Sequence, residues 1–114
     1  MATEYILGLD WDGTVSDYKT EFALLASRFD SVVIITLNNQ ITPQLAAATL
    51  NLDQTLVSVE ICPDLRLDDY GHWKTEICRK HSIVIMFDDD RYVIGQCRSS
   101  GIAVIGVRAN RFNT

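Results

Sequence analysis

The chain has 114 residues, 47% of them hydrophobic and 22% charged, with a formal net charge of −5, which is the composition of an ordinary globular protein read here as one domain over residues 1–114. The acidic balance argues against broad binding of nucleic acid, which needs a basic face to displace counterions from phosphates. No apolar run approaches a bilayer span and the start MATEYI has no signal-peptide character, so the expected location is the cytoplasm, with no membrane partner.

Tyr5, Ile6, Leu7 and Leu9 read as a buried strand that stops on two carboxylates, Asp10 and Asp12, followed by the turn pair Gly13 and Thr14. In an open α/β sheet, ligands bind beyond the carboxyl ends of the strands. Side chains two apart point the same way unless the chain turns, so both acids can reach one small ligand. A lone Asp-Xaa-Asp more simply caps a turn, but the strand before it and the Gly-Thr after it narrow the field. Trp11, between the acids, reads as packing rather than recognition.

Tyr18, Phe22, Leu25 and Phe29 then form one apolar stripe on a helix from about Lys19 to Arg28, after a connection with room only for a tight turn. SVVIIT, Ser31 to Thr36, is a second strand that ends on a polar residue and leads into the polar loop LNNQ. Thr42 and Pro43 open a helix with Leu45, Thr49 and Leu52 on its expected inner face. A third strand is expected from roughly Thr55 to Ile61, and CPDLRLDDYG reads as a loop at the sheet edge.

Asp69 is a candidate cap for the next helix, where Trp73 and Ile77 face the core and Lys74 is turned away from them. SIVIMF, Ser82 to Phe87, is the most apolar strand and runs into Asp88, Asp89 and Asp90. A short helix with Val93, Ile94 and Cys97 closes on Gly101, and IAVIGV makes a fifth strand. Strands alternating with helices predict right-handed crossovers and a five-stranded parallel sheet covered on both faces, a three-layer Rossmann-like α/β fold.

Cys62, Cys78 and Cys97 are odd in number and form no Cys-Xaa-Xaa-Cys, so buried thiols are expected. His72 and His81 have no ligand partner at close spacing and read as surface or helix-end residues. Arg91, Arg98, Arg108 and Arg111 concentrate in the last quarter, where a solvated surface accounts for them.

Three strands thus end on Asp10 and Asp12, on Thr36, and on Asp88 and Asp89, which a parallel sheet gathers along one edge. Lys74, just ahead of the fourth strand, is a counter-charge for these carboxylates or for a phosphoryl group. At these positions the chain resembles the haloacid dehalogenase superfamily of phosphohydrolases. The strand plus Asp-Xaa-Asp-Gly-Thr matches its first motif, VVIIT with Thr36 its second, Lys74 its third and IVIMFDD its fourth, in order from Tyr5 to about Val107. FDD with the following helix and CRSSGIAVIGV is similar to polynucleotide 3′-phosphatase domains and small magnesium-dependent phosphatases, although Asp90 stands where a basic residue often follows the acid pair.

The resemblance implies a magnesium-dependent phosphomonoester phosphatase of minimal type without a cap domain. Asp10 would be the nucleophile and Asp12 the general acid and base. Mg²⁺ would be held by Asp10, the backbone carbonyl of Asp12 and Asp88. Thr36 and Lys74 would bind phosphoryl oxygens, with Asp89 and Thr14 supporting the site. Without inserts to close over a metabolite, the expected substrate is a phosphate on a macromolecule or nucleic-acid end, with a homo-oligomer as the other way of covering the site. Two other classes of function stand beside this one. A receiver-like phosphoacceptor is disfavoured because the third strand ends on Cys62 and the fifth is followed by Arg108; a non-catalytic module of the same fold is opposed by the presence of both Asp10 and Asp12.

Overall fold

The computed structural model describes residues 3–108. At its centre is β1 (Ile6–Leu9), flanked by β2 (Ser31–Thr36) and β4 (Ile83–Asp88). β3 (Val57–Ile61) adds outside β2 and β5 (Val104–Gly106) outside β4, giving the order β3-β2-β1-β4-β5 with every pair parallel. Helices α1 (Lys19–Ala26) and α2 (Pro43–Leu50) pack on one face, and α3 (Tyr70–Lys80) and α4 (Arg91–Ser99) on the other. This is the three-layer α/β architecture expected, and among the described residues no cap domain interrupts it.

Strand alternation divides the core in two. Leu7, Leu9, Val32 and Ile34 point to α1 and α2, whereas Val33, Ile35 and Met86 point to α3 and α4. Ile6 pairs with Ile83 but Leu7 with Ile85, so β4 carries one extra residue, Val84, as a bulge. Beyond the bulge, Phe87 turns toward α1, where it meets Phe22 edge-on at 5.4 Å, and Met86 and Asp88 turn toward α3. The same alternation sends Asp10, next after Leu9, to the α3 side.

Several local expectations are corrected. The buried face of α2 is Ala46, Ala47 and Leu50, while Leu45 is 45% exposed. Small alanines let the helix sit close to the sheet, and a reading that weights large side chains misses them. The Thr42 cap is present, its hydroxyl accepting from the Leu45 N–H at 3.1 Å. β3 starts at Val57 because Asp53 caps a 3₁₀ turn, Gln54–Leu56, through the Thr55 N–H.

The expected loop before α3 contains a 3₁₀ helix, Asp64–Asp69, that runs straight into α3. Asp69 does not cap α3, because its carboxylate is taken by Arg66, which also grips Glu76. β5 is shorter than IAVIGV because the Ile102 N–H closes the end of α4 on the Cys97 carbonyl at 2.9 Å, with Gly101 at φ +78 in between. Trp11 is a core residue, all three cysteines are free and buried, and His81 ends α3 against Glu60. Among the described residues no helix is long and apolar enough to cross a membrane.

Candidate active site

β1 leads outward through β2 to β3 on one side, and β4 and β5 lie on the other, so strand order reverses at β1 and β4. Crevices form at such switch points. Here a cleft of about 550 Å³ opens at the strand ends. Asp10 and Asp12 enter it after β1, Thr36 and Leu37 from β2, Tyr70 and Lys74 from α3, and Asp88 to Arg91 from β4 and the start of α4.

Lys74 is only 2% exposed, and its ammonium donates to Asp10 Oδ1 at 2.9 Å and to Asp88 Oδ2 at 2.8 Å. On the same helix, a Cβ at Gly71 would lie 2.7 Å from the Tyr92 ring, so the glycine lets α3 seat closely on α4. Asp10 Oδ2 accepts the Thr14 hydroxyl at 3.1 Å, and Asp88 Oδ1 accepts the Asp90 N–H at 3.0 Å. Both acids are therefore anchored on both oxygens. Among the described residues no buried side-chain nitrogen or oxygen lacks a partner.

The turn after β1 aims these groups. Thr14 and Ser16 N–H groups donate to the Trp11 carbonyl, and Gly13 takes φ +80, a left-handed conformation that side chains disfavour. The turn buries Thr14 beneath Asp10 and sends Asp12 outward to an exposed position. There the Asn38 amide donates to Asp12 Oδ1 and Oδ2 at 3.3 and 3.1 Å. Thr36, also buried, accepts the Asn38 backbone N–H at 3.0 Å.

Two carboxylates buried against one ammonium leave a net negative site. Burial pushes the Asp10 carboxyl up to about 6 although Lys74 pulls the other way, with the nearby Asp89 adding to the rise. Burial likewise raises Asp88 to about 6 against Lys74, and Asp10 adds to that rise. Lys74 is held well above its ordinary value: burial opposes its charge, but the two carboxylates outweigh it. It remains an ammonium at any physiological pH.

The residual negative charge suits a cation. Carboxylate oxygens of Asp10, Asp88 and Asp89 all lie within 4.8 Å of one another, a hard-oxygen set able to hold a metal ion. The Asp12 carboxylate is outside that group. Asp90, third in the acidic run, is the cap of α4, accepting from the Tyr92 and Val93 N–H groups at 2.8 and 3.2 Å and from the Tyr70 hydroxyl at 2.7 Å. Of the four arginines, Arg91 lines the cleft, Arg98 and Arg108 are exposed away from it, and Arg111 lies outside the described residues.

Tyr70 and Arg91, which line the cleft, and Asn38, which is bonded to Asp12, are residues that sequence reasoning did not single out for the site. A polar pair two residues past a strand-end Thr is the signal that points to Asn38.

The switch-point cleft and strand-end acids sit on a five-stranded parallel α/β sheet whose fold is like that of solved HAD domains. No protein-family model and no curated protein matches the sequence. Solved structures do match: two of the HAD domain of the effector protein Lem4 from Legionella pneumophila, one of them an inactive mutant. The mutant shares 11% identity over 98% of this chain and 89% of that one, with a TM-score of 0.53. The other shares 12% over 96% and 89%, with a TM-score of 0.52. At that identity the likeness is one of fold.

Proposed function

We propose that the protein is a Mg²⁺-dependent phosphomonoester hydrolase that works through an aspartyl phosphate on Asp10. The observation that carries this reading is the buried Lys74 ammonium joining Asp10 at 2.9 Å to Asp88 at 2.8 Å in the switch-point cleft. Asp10, with a pKa of about 6, is chiefly ionised at neutral pH and can attack phosphorus, expelling the alcohol. Asp12 gives its proton to the leaving oxygen and then takes one from the attacking water. Lys74 and the Thr36 hydroxyl hold the phosphoryl oxygens as charge moves onto them. Mg²⁺, held by Asp10, Asp88 and the Asp12 backbone carbonyl with Asp89 beside them, would supply further neutralisation of that charge.

The direct test is turnover of an aryl phosphate that requires Mg²⁺ and is lost in Asp10→Asn. A parallel test needs no turnover. A ligand that binds only the native form stabilises it by RT ln(1 + [L]/Kd), about 2.7 kcal/mol at about 100 times Kd, or several degrees of melting temperature. Asp88→Asn removes one excess negative charge and one ligand together. It should leave the metal-free protein equally or more stable while cancelling most of the Mg²⁺ gain. An unchanged wild-type melting temperature at saturating Mg²⁺ contradicts the proposed site.

The substrate class follows from what surrounds the cleft. The link from β1 to α1 is the 3₁₀ turn Val15–Asp17, and that from β3 to α3 is the 3₁₀ helix Asp64–Asp69; neither is long enough to close over a small metabolite. The expected substrate is a phosphate on a macromolecule or an oligonucleotide end, unless a second copy covers the site. Assays across sugar phosphates, phosphopeptides and 3′-phosphorylated oligonucleotides, with the oligomeric state measured alongside, test this. A monomer that prefers a small sugar phosphate over every peptide and oligonucleotide overturns it.

A further inference from the structure

We propose that Asn38 is the positioning residue for Asp12, aiming its carboxyl group at the water that attacks in the second chemical step. The inference rests on the aspartyl-phosphate reading above. Asn38 follows β2 by two residues and is held through three of its own groups. Its Nδ2 reaches both Asp12 oxygens, at 3.3 and 3.1 Å. Its Oδ1 accepts the Gln40 N–H at 2.9 Å, which fixes the orientation of the amide and leaves the NH₂ facing Asp12. Its own N–H donates to Thr36 Oγ1 at 3.0 Å.

The consequence of this arrangement is the direction in which Asp12 is held. An NH₂ shared by both carboxyl oxygens, at 3.3 and 3.1 Å, limits how the Asp12 group can rotate. Asp12 is exposed and has no core packing to orient it, so the Asn38 amide is what sets its direction. Thr36, with a lone pair occupied by the Asn38 N–H, keeps its hydroxyl hydrogen for a phosphoryl oxygen. One residue thus ties the base to the phosphate-binding hydroxyl.

In the second step the water oxygen bonds to phosphorus while its proton passes to Asp12. The bond from phosphorus to the Asp10 oxygen breaks, returning Asp10 as a carboxylate and releasing inorganic phosphate. Asp12, now protonated, serves the next leaving group. Loss of Asn38 bears mainly on this water step, because an aryl phosphate leaves in the first step without needing a proton.

The test compares wild type, Asn38→Ala and Asn38→Asp on p-nitrophenyl phosphate with Mg²⁺. Asn38→Asp keeps the size, the acceptor for Gln40 and the N–H for Thr36, but sets a negative charge against Asp12. If Asn38 merely builds the loop, Asn38→Asp stays near wild type and Asn38→Ala is the worse variant. The proposal expects Asn38→Asp to be at least as impaired, with kcat down roughly 10- to 100-fold in both, KM nearly unchanged and phosphoenzyme accumulating. Asn38→Asp with wild-type kcat, or no accumulation in either variant, overturns it. A readout independent of turnover is the NMR signal of the Asn38 side-chain amide in metal-free protein, which should shift in Asp12→Ala; an unmoved signal means the contact is not made. Wild type without turnover overturns the phosphatase reading, and this role with it.

Discussion

Replacing Lys74 by methionine is expected to destabilise the protein by about 3–5 kcal/mol at pH 7, as removal of one partner from a buried ion pair does. The lysine is 2% exposed and lies between Asp10 and Asp88, and methionine fills the same channel without the charge. Two carboxylates are then left buried with no counter-charge. The loss should shrink at lower pH, and the sign follows from the two acids. Both have pKa values raised to about 6 in the folded protein against 3.8 for an ordinary aspartate. Between those values the native state binds more protons than the unfolded one, so stability falls as pH rises through that window. Without Lys74 the folded values move higher still, and the window extends upward. Urea melts at pH 5 and pH 7 check this: the deficit should be markedly smaller at pH 5. A deficit below about 0.5 kcal/mol at both pH values is what a surface lysine would give, and would refute the buried bridge. At pH 5, where the variant folds, it should still fail to turn over an aryl phosphate.

The sheet and the placement of the acids were legible because they depend on local pattern. An apolar run that stops on a carboxylate reads as a strand feeding a crevice, and β1 and β4 do this at Asp10 and Asp88. The same reading could not see the bulge at Val84, since it arises from pairing with β1 and leaves no mark in the apolar run. The inner face of α2 is not legible because Ala46 and Ala47 are buried by closeness to the sheet, not by size. Asp69 reads as a cap because capping is what an aspartate before a helix usually does; Arg66, three residues upstream, offers a stronger charged partner.

The three consecutive acids show the limit most clearly. Asp88, Asp89 and Asp90 look equivalent in a string, yet Asp88 is fully buried on Lys74, Asp89 stands with Asp10 in the metal-capable set, and Asp90 caps α4. Three directions of the backbone at a strand end produce three roles. The pairing of Asn38 with Asp12 is not legible for a related reason. Its partner Asp12 is 26 residues away in sequence, and the contact exists only because β1 and β2 are neighbours whose exit turns face each other.

Asp10→Asn and Asp12→Asn are expected to fail at different steps, and this comparison carries the largest effect on activity. Asp10→Asn removes the nucleophile, so turnover should drop to background and no phosphoenzyme should form. The variant should nonetheless fold, because it removes one of the two carboxylates that share Lys74 and leaves a one-to-one pair with Asp88 at 2.8 Å. Asp12→Asn keeps the nucleophile and, being exposed, disturbs no core contact. It loses proton transfer, for which roughly 10²–10⁴-fold is usual. The loss should be steeper for an alkyl phosphate, whose leaving oxygen needs a proton, than for an aryl phosphate. On the aryl substrate, the first step proceeds and the water step stalls, so Asp12→Asn should accumulate an acid-stable acyl phosphate, as the Asn38 variants do to a lesser degree. Quenching with labelled substrate and measuring protein-bound phosphate separates the cases. Equal residual turnover in both variants, with no acid-stable aspartyl phosphate in wild type, would remove Asp10 and Asp12 from the roles assigned to them.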